Sequence, residues 1–169
     1  MDIKVGNITY NSKLEAFISY SPDARIEKTK GTYVETMGPF GFKVSSIVVN
    51  SKEGLTRLDQ KYGKSLNADT IHTVLDNYLG AKNDQEVARA KYFVQKLMEI
   101  EAFFERQTAF HLFGSSLLFV YDQGNSDAIS AKVRVIDFEH TFPADGKIDE
   151  IFLFGLRNVR KLFEKFIEY

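Results

Sequence analysis

The chain contains no cysteine, which excludes disulfides, thiolate metal sites and a cysteine nucleophile. Its formal net charge is -1 across 169 residues, so no global field draws it to nucleic acid, and any anion site must be a local basic cluster. No apolar run approaches the roughly 20 residues of a membrane span, and Met1-Asp2-Ile3-Lys4 lacks the order of regions found in a signal peptide. The expectation is therefore an intracellular protein of cytoplasm or nucleus. Neither GxxxxGK[ST] nor GxGxxG occurs, and no serine sits in a GxSxG elbow. His72, His111 and His140 are scattered and lack zinc spacing.

Apolar material is plentiful. Hydrophobic residues make up 44% of the sequence and phenylalanine supplies 15 positions, a globular composition with enough chain for one buried core. Val133 to Ile136 is a β-branched run that ends at Asp137. Ser116 to Tyr121 is a second apolar run, and the Gly-, Asn-, Ser- and Asp-rich stretch from Asp122 to Lys132 between them predicts a hairpin. Its second strand would deliver Asp137 to one end of the core. A carboxylate between Ile136 and Phe138 is costly to bury unless something compensates. Two readings stand at even weight: a site for a divalent cation, or a cap for the following turn.

The pattern from Met1 to Tyr10 predicts a strand with Asp2 and Lys4 on one face and Ile3 and Val5 on the other. Gly6 marks a bulge or a close approach by another segment. A helix is expected over Ala24 to Lys30. Arg25 and Lys28 would share a face of it, either as a cradle for a polyanion or, the commoner case, as a solvated basic surface. Met37 to Gly41 reads as a turn, Phe42 to Asn50 as a strand, Leu55 to Lys61 as a weaker strand, and Tyr62 to Ser65 as a loop. Helices follow over Thr70 to Leu79, from Asn83 or Asp84 to about Arg106, and from about Ile151 to Glu168. The long helix carries a stripe of Phe93, Leu97, Ile100 and Phe104, widened by Val94 and Met98; the last carries Leu156, Val159, Phe163 and Phe166. Arg157, Arg160, Lys161 and Lys165 are expected to face solvent.

What remains is two strand carboxylates, a lysine beside the first and a basic helix after it. Carboxylates for a metal and cations for phosphates are the parts that phosphoryl transfer needs. The local sequences then point to a family. Asp2-Ile3-Lys4-Val5-Gly6 matches the end of the PxxxDxKxG signature of inositol polyphosphate kinases. Ser115-Ser116-Leu117-Leu118 resembles that family's SSLL strand, and Ile136 to His140 its IDFAH element. Lys61 to Leu66 resembles its YGRSL loop, and Phe152 to Leu156 its final YVFGL helix start. These occur in the family's order over nearly the whole chain. The short sequel Thr141-Phe142-Pro143 and Ile148-Asp149-Glu150 look most like the multikinase branch.

The resemblance implies an α+β fold: the C-lobe of the inositol polyphosphate kinase fold, related to protein kinases and SAICAR synthase. A small, mostly antiparallel sheet would pack with about four helices. It implies ATP-dependent phosphorylation of an inositol phosphate hydroxyl, assisted by Mg2+. Asp2 would hold the ATP ribose, Lys4 would face the transferred phosphate and the substrate, and Asp137 would bind the metal on the ATP phosphates. His140, Arg25 and Lys28 would contact the inositol phosphate, with Ser116 as structural support. Glu139, Val48 and Thr32 depart from the family pattern and bear on substrate identity. The family's N-lobe precedes PxxxDxKxG, so the expectation is a single C-lobe over residues 1–169 that begins inside that strand. The alternative is a noncatalytic lobe that binds an inositol phosphate or a protein partner.

Overall fold

The computed structural model describes residues 1–6, 34–51, 54–124 and 130–168. In chain order these form β1 (Asp2–Val5), α1 (Val34–Phe40), β2 (Phe42–Ser51), β3 (Gly54–Leu58), α2 (Gln60–Ser65), α3 (Thr73–Leu79), α4 (Asp84–Phe104), β4 (Phe110–Leu112), β5 (Ser116–Val120), β6 (Lys132–Ile136), β7 (Thr141–Pro143) and α5 (Glu150–Glu168). The main sheet has five strands in the order β3-β2-β1-β5-β6, and β4 pairs with β7 in a separate two-stranded ribbon. Every strand pairing among the described residues is antiparallel. The α+β expectation holds, as does the hairpin of β5 and β6, where Leu117 faces Val135 and Ser116 faces Ile136.

Strand β1 sits at the centre of the sheet. Its alternation is realised: Ile3 and Val5 are buried, while Asp2 and Lys4 lie half-exposed on the opposite face. The register against β2 shifts between Asp2 and Ile3, so the irregularity falls at Asp2 rather than at Gly6. Gly6 instead makes the close approach: with φ at 99° its N–H donates to the Gly41 carbonyl at 2.7 Å. Residues 7–10 of the expected strand, and the whole expected helix bearing Arg25 and Lys28, lie outside the described residues, as does Thr32.

The long helices α4 and α5 pack on each other and on the buried face of the sheet. Asn83 caps α4 by accepting from the Glu86 N–H at 3.1 Å. Ala90, Phe93, Leu97 and Phe104 are the buried stripe, but Met98 is exposed and Val94 only half-buried, so the stripe is narrower than expected. Phe93 meets Phe119 of β5 and Phe163 of α5, each with ring centroids 5.4 Å apart, and Phe104 meets Phe152 at 4.3 Å. Burying a side chain of this size contributes about 1.5–3 kcal/mol, so these rings lock both helices to the sheet. Asp149 fixes the start of α5. Only 1% exposed, it accepts from the Phe152 N–H at 3.0 Å and, across to β4, from the Leu112 N–H at 2.7 Å.

Three expectations fail. Met37 to Phe40 is the end of helix α1, not a turn. Pro39 lies inside that helix near its C-terminus, where little helix remains for it to break, and Gly41 closes it by donating to the Met37 carbonyl at 3.0 Å. Tyr62 to Ser65 belongs to α2, whose N-cap Asp59 accepts from the Lys61 N–H at 2.8 Å, so β3 stops at Leu58. Arg157 and Arg160 do not simply face solvent: both bond Glu101 of α4, at 2.8 Å and 2.9 Å, and Arg157 also reaches Glu105 at 2.6 Å. No helix among the described residues is long and apolar enough to cross a membrane.

Candidate functional site

The half-exposed face of β1 carries the chemistry. Lys4 lies opposite Ser116 of β5 and opposite Lys43 of β2, and Ser116 in turn faces Ile136 of β6. Asp137 follows Ile136 directly. The sheet therefore gathers Asp2, Lys4, Ser116 and Asp137, which are far apart in sequence, at one end of three adjacent strands.

Asp137 is held by its backbone. Its φ is 65°, in the left-handed region that aspartate tolerates better than most residues. The Ser115 hydroxyl donates to its carbonyl at 2.9 Å, and the Ser116 hydroxyl to its Oδ2 at 3.4 Å. The carboxylate itself is exposed. The expected cost of burying it does not arise, and among the described residues it is not bonded as a cap to the following turn. Phe138 beside it is 56% exposed.

Asp2 is the more strained acid. Its Oδ1 is buried and bonds no partner among the described residues. Burial pushes its carboxyl up from the ordinary carboxylate value and the nearby Asp137 adds to this, while Ser116 and Lys4 pull it down. The Ser116 hydroxyl thus lies between the two carboxylates. Among the described residues no three acidic or imidazole groups cluster as a metal cage. The donor set suits a different arrangement, in which one or two carboxylates hold a hard cation and phosphate oxygens complete its shell. The open Asp137 carboxylate fits that role.

Lysines form the other side. Burial lowers Lys43 from the ordinary 10.5 to about 8, helped by repulsion from Lys4 and Lys64, while Asp2 acts the other way. Three ammonium groups from β1, β2 and α2 thus share one neighbourhood. The sequence reading assigned only Lys4 of these. The available signal was Lys43 itself, the one charge in an otherwise apolar and serine-containing strand, FKVSSIVVN. His140 is half-buried, its Nε2 3.5 Å from Glu139 Oε1, so Glu139 lies against it rather than pointing away. The structure brings together Asp2, Lys4 and Asp137; Arg25 and Lys28 lie outside the described residues.

Beside Asp2 a cavity of about 720 Å³ opens across the sheet. Val48, Leu55, Leu118 and Val120 give it apolar walls, and Asn50 and Asp122 are among its polar groups. Val48 therefore lines the cavity. Along β1, the cavity adjoins Asp2 and the lysine cluster adjoins Lys4.

Comparison with known proteins gives the family and the fold. The family model described as inositol polyphosphate kinase matches residues 1–164. The chain is 32% identical over 180 residues to the inositol polyphosphate multikinase IPK2 of Oryza sativa, covering 95% of this chain and 58% of that protein. It is 28% identical over 177 residues to inositol polyphosphate multikinase alpha of Arabidopsis thaliana, covering 92% and 59%. The chain thus spans somewhat over half the length of these relatives. Among solved structures, inositol phosphate multikinase Ipk2 of S. cerevisiae in complex with ADP and Mn2+ superposes with a TM-score of 0.78 at 19% identity, covering 98% of this chain and 77% of that one. A second inositol phosphate multikinase structure gives 0.77 at 23% identity, covering 98% and 78%.

Proposed function

Because this chain belongs to the inositol polyphosphate kinase family, we propose that its sheet face is the phosphotransfer site of an ATP-dependent inositol phosphate kinase. One observation carries the reading: two carboxylates, one with a buried oxygen that bonds no partner among the described residues, meet a three-lysine cluster at one end of the sheet. The nucleotide base lies in the cavity against its apolar walls, Val48, Leu55, Leu118 and Val120. The ribose hydroxyls donate to the half-exposed carboxylate of Asp2 at the cavity's edge. The phosphates extend toward Lys4.

Asp137, supported from behind by Ser115 and Ser116, holds the divalent cation, Mg2+ in the cell. When bound, the ion neutralises phosphate charge and orients the transferred group. Lys4 contacts that group, and Lys43 and Lys64 hold the phosphates of the inositol substrate. Positioning and preorganised charge are the main sources of catalysis in this chemistry. These cations repel one another in the free site, so a polyanion relieves strain as it binds. His140, with Arg25 and Lys28, completes the substrate contacts.

The test is a phosphotransfer assay with Mg-ATP and a panel of inositol phosphates, on this chain and its Asp137→Asn variant. The proposal expects turnover in the parent and none in the variant, with unchanged melting. Turnover retained by Asp137→Asn would refute the metal role. Binding of an inositol phosphate with no turnover by the parent would assign the chain to a noncatalytic binding lobe.

A further inference from the structure

Away from the sheet end, β6 forms one edge of the five-stranded sheet and pairs only with β5 among the described residues. An edge strand offers unpaired backbone donors and acceptors to an incoming strand. Helix α4 runs beside this edge, and two depressions lie between them. One, of about 290 Å³, is lined by residues that include Lys96, Glu99, Ile100, Lys132, Val133 and Arg134. The other, of about 440 Å³, is almost wholly apolar: Ile100, Phe103, Phe104, Phe110, Val135 and Phe138. Glu99 and Ile100 border both, so they form one groove. Phe103 and Phe138 are about half-exposed on its walls.

The spacing of the two depressions is that of a strand. Val133 lies in the first and Val135 in the second, two residues apart and so about 6.6 Å along the edge. Alternate side chains of an added strand fall at the same interval. A groove between an edge strand and a helix is a recurrent setting for strand addition, in which main-chain bonds give affinity and pockets for alternate side chains give specificity.

Charge identifies the occupant. Lys132 and Arg134 are exposed on the edge itself; Lys96 of α4 is already paired with Glu99 at 2.8 Å, so the cations open to a partner are these two. Arg134 also covers part of the edge, donating to the Val133 carbonyl at 2.8 Å. A second copy of β6 would bring like charges opposite these cations, which is unfavourable. We infer that the β6–α4 groove receives an extended acidic peptide segment of a partner protein, with a carboxylate beside Lys132 and Arg134 and an aromatic or large aliphatic side chain two residues away between Phe103 and Phe138. No part of this surface is used in the proposed phosphotransfer.

A random-peptide display library panned on the purified chain tests this. Enriched peptides should carry an acidic residue two positions from an aromatic or aliphatic one. A synthetic copy of the most enriched peptide, followed by fluorescence anisotropy, should bind at least about tenfold more weakly to Lys132→Glu/Arg134→Glu and to Phe103→Asp, a loss of about 1.4 kcal/mol. Lys161→Glu, an exposed charge reversal on α5, should bind as the parent does. N-methylation of the peptide backbone should weaken binding at alternate positions only. No enrichment, enrichment of basic peptides, binding indifferent to the groove substitutions, or equal tolerance of N-methylation along the peptide would each overturn the inference. All the substituted residues are exposed, so unchanged melting keeps the comparison free of folding effects.

Discussion

Lys43 is a cation that burial in the ligand-free site disfavours, and raising the pH through 8 switches it off. With its ammonium lowered to about 8 by burial and by Lys4 and Lys64, it is roughly nine-tenths charged at pH 7 and roughly one-tenth at pH 9, by the ordinary titration relation. A hydrogen bond to a charged partner contributes about 1.5–3 kcal/mol. Affinity for an inositol phosphate should therefore fall by up to about tenfold between those pH values, the limit set by the loss of the charged form, against the slight gain from fuller phosphate ionisation. Bound phosphate also restores the ammonium, so binding near pH 8 should take up protons. Titration calorimetry in buffers of different ionisation enthalpy reads this directly: the parent should show uptake and Lys43→Met should not. Stability moves the other way. The folded-state value lies below the unfolded one, so between about 8 and 10.5 the unfolded chain holds more protons and folding strengthens as pH rises. Lys43→Met should accordingly melt higher than the ligand-free parent at pH 7, the difference shrinking as pH rises through that window. Identical proton uptake in Lys43→Met, or a pH-independent affinity in the parent, would refute the reasoning.

Other perturbations follow from individual contacts. Asp149→Ala removes the cap of α5 and strands the Leu112 N–H, so chemical denaturation should show a loss of about 2–4 kcal/mol. Gly155→Ala would place its Cβ 2.1 Å from the Gly41 carbonyl oxygen and 2.8 Å from Val5 Cγ1. Backbone must move, and a loss of about 3 kcal/mol or more is expected on melting. Glu101→Gln weakens the contacts of both Arg157 and Arg160; because both arginines remain partly solvated, the cost should be about 1 kcal/mol, and smaller in high salt.

How much of this could be read in advance depended on the range of each signal. The β5–β6 hairpin, the Asp2–Lys4 face and the stripes of α4 and α5 are local patterns of period two or 3.6, and they appear, the α4 stripe without Met98. Helix α1 was missed because Gly38 and Pro39 advertise a turn; packing decides otherwise, with Thr36 and Met37 buried and the Phe40 carbonyl held by Asn158 at 3.1 Å. Helix α2 was missed because its cap, Asp59, looked like the middle of a strand. The ion pairs of Arg157 and Arg160 depend on Glu101 from another helix, which no periodicity within α5 reveals. Asp137 shows the limit most clearly. Its place at the strand end was legible, but its exposure and left-handed backbone were not, and they replace a burial cost with a conformational one.

The most direct test of the central claim is titration calorimetry of this chain with Mg-ATP and, separately, with an inositol phosphate, repeated on Asp137→Asn and on Lys43→Ala/Lys64→Ala. The account predicts that Asp137→Asn loses metal-dependent nucleotide binding but keeps the inositol phosphate, and that the double lysine variant does the reverse. Both ligands binding equally well to both variants would place the site elsewhere.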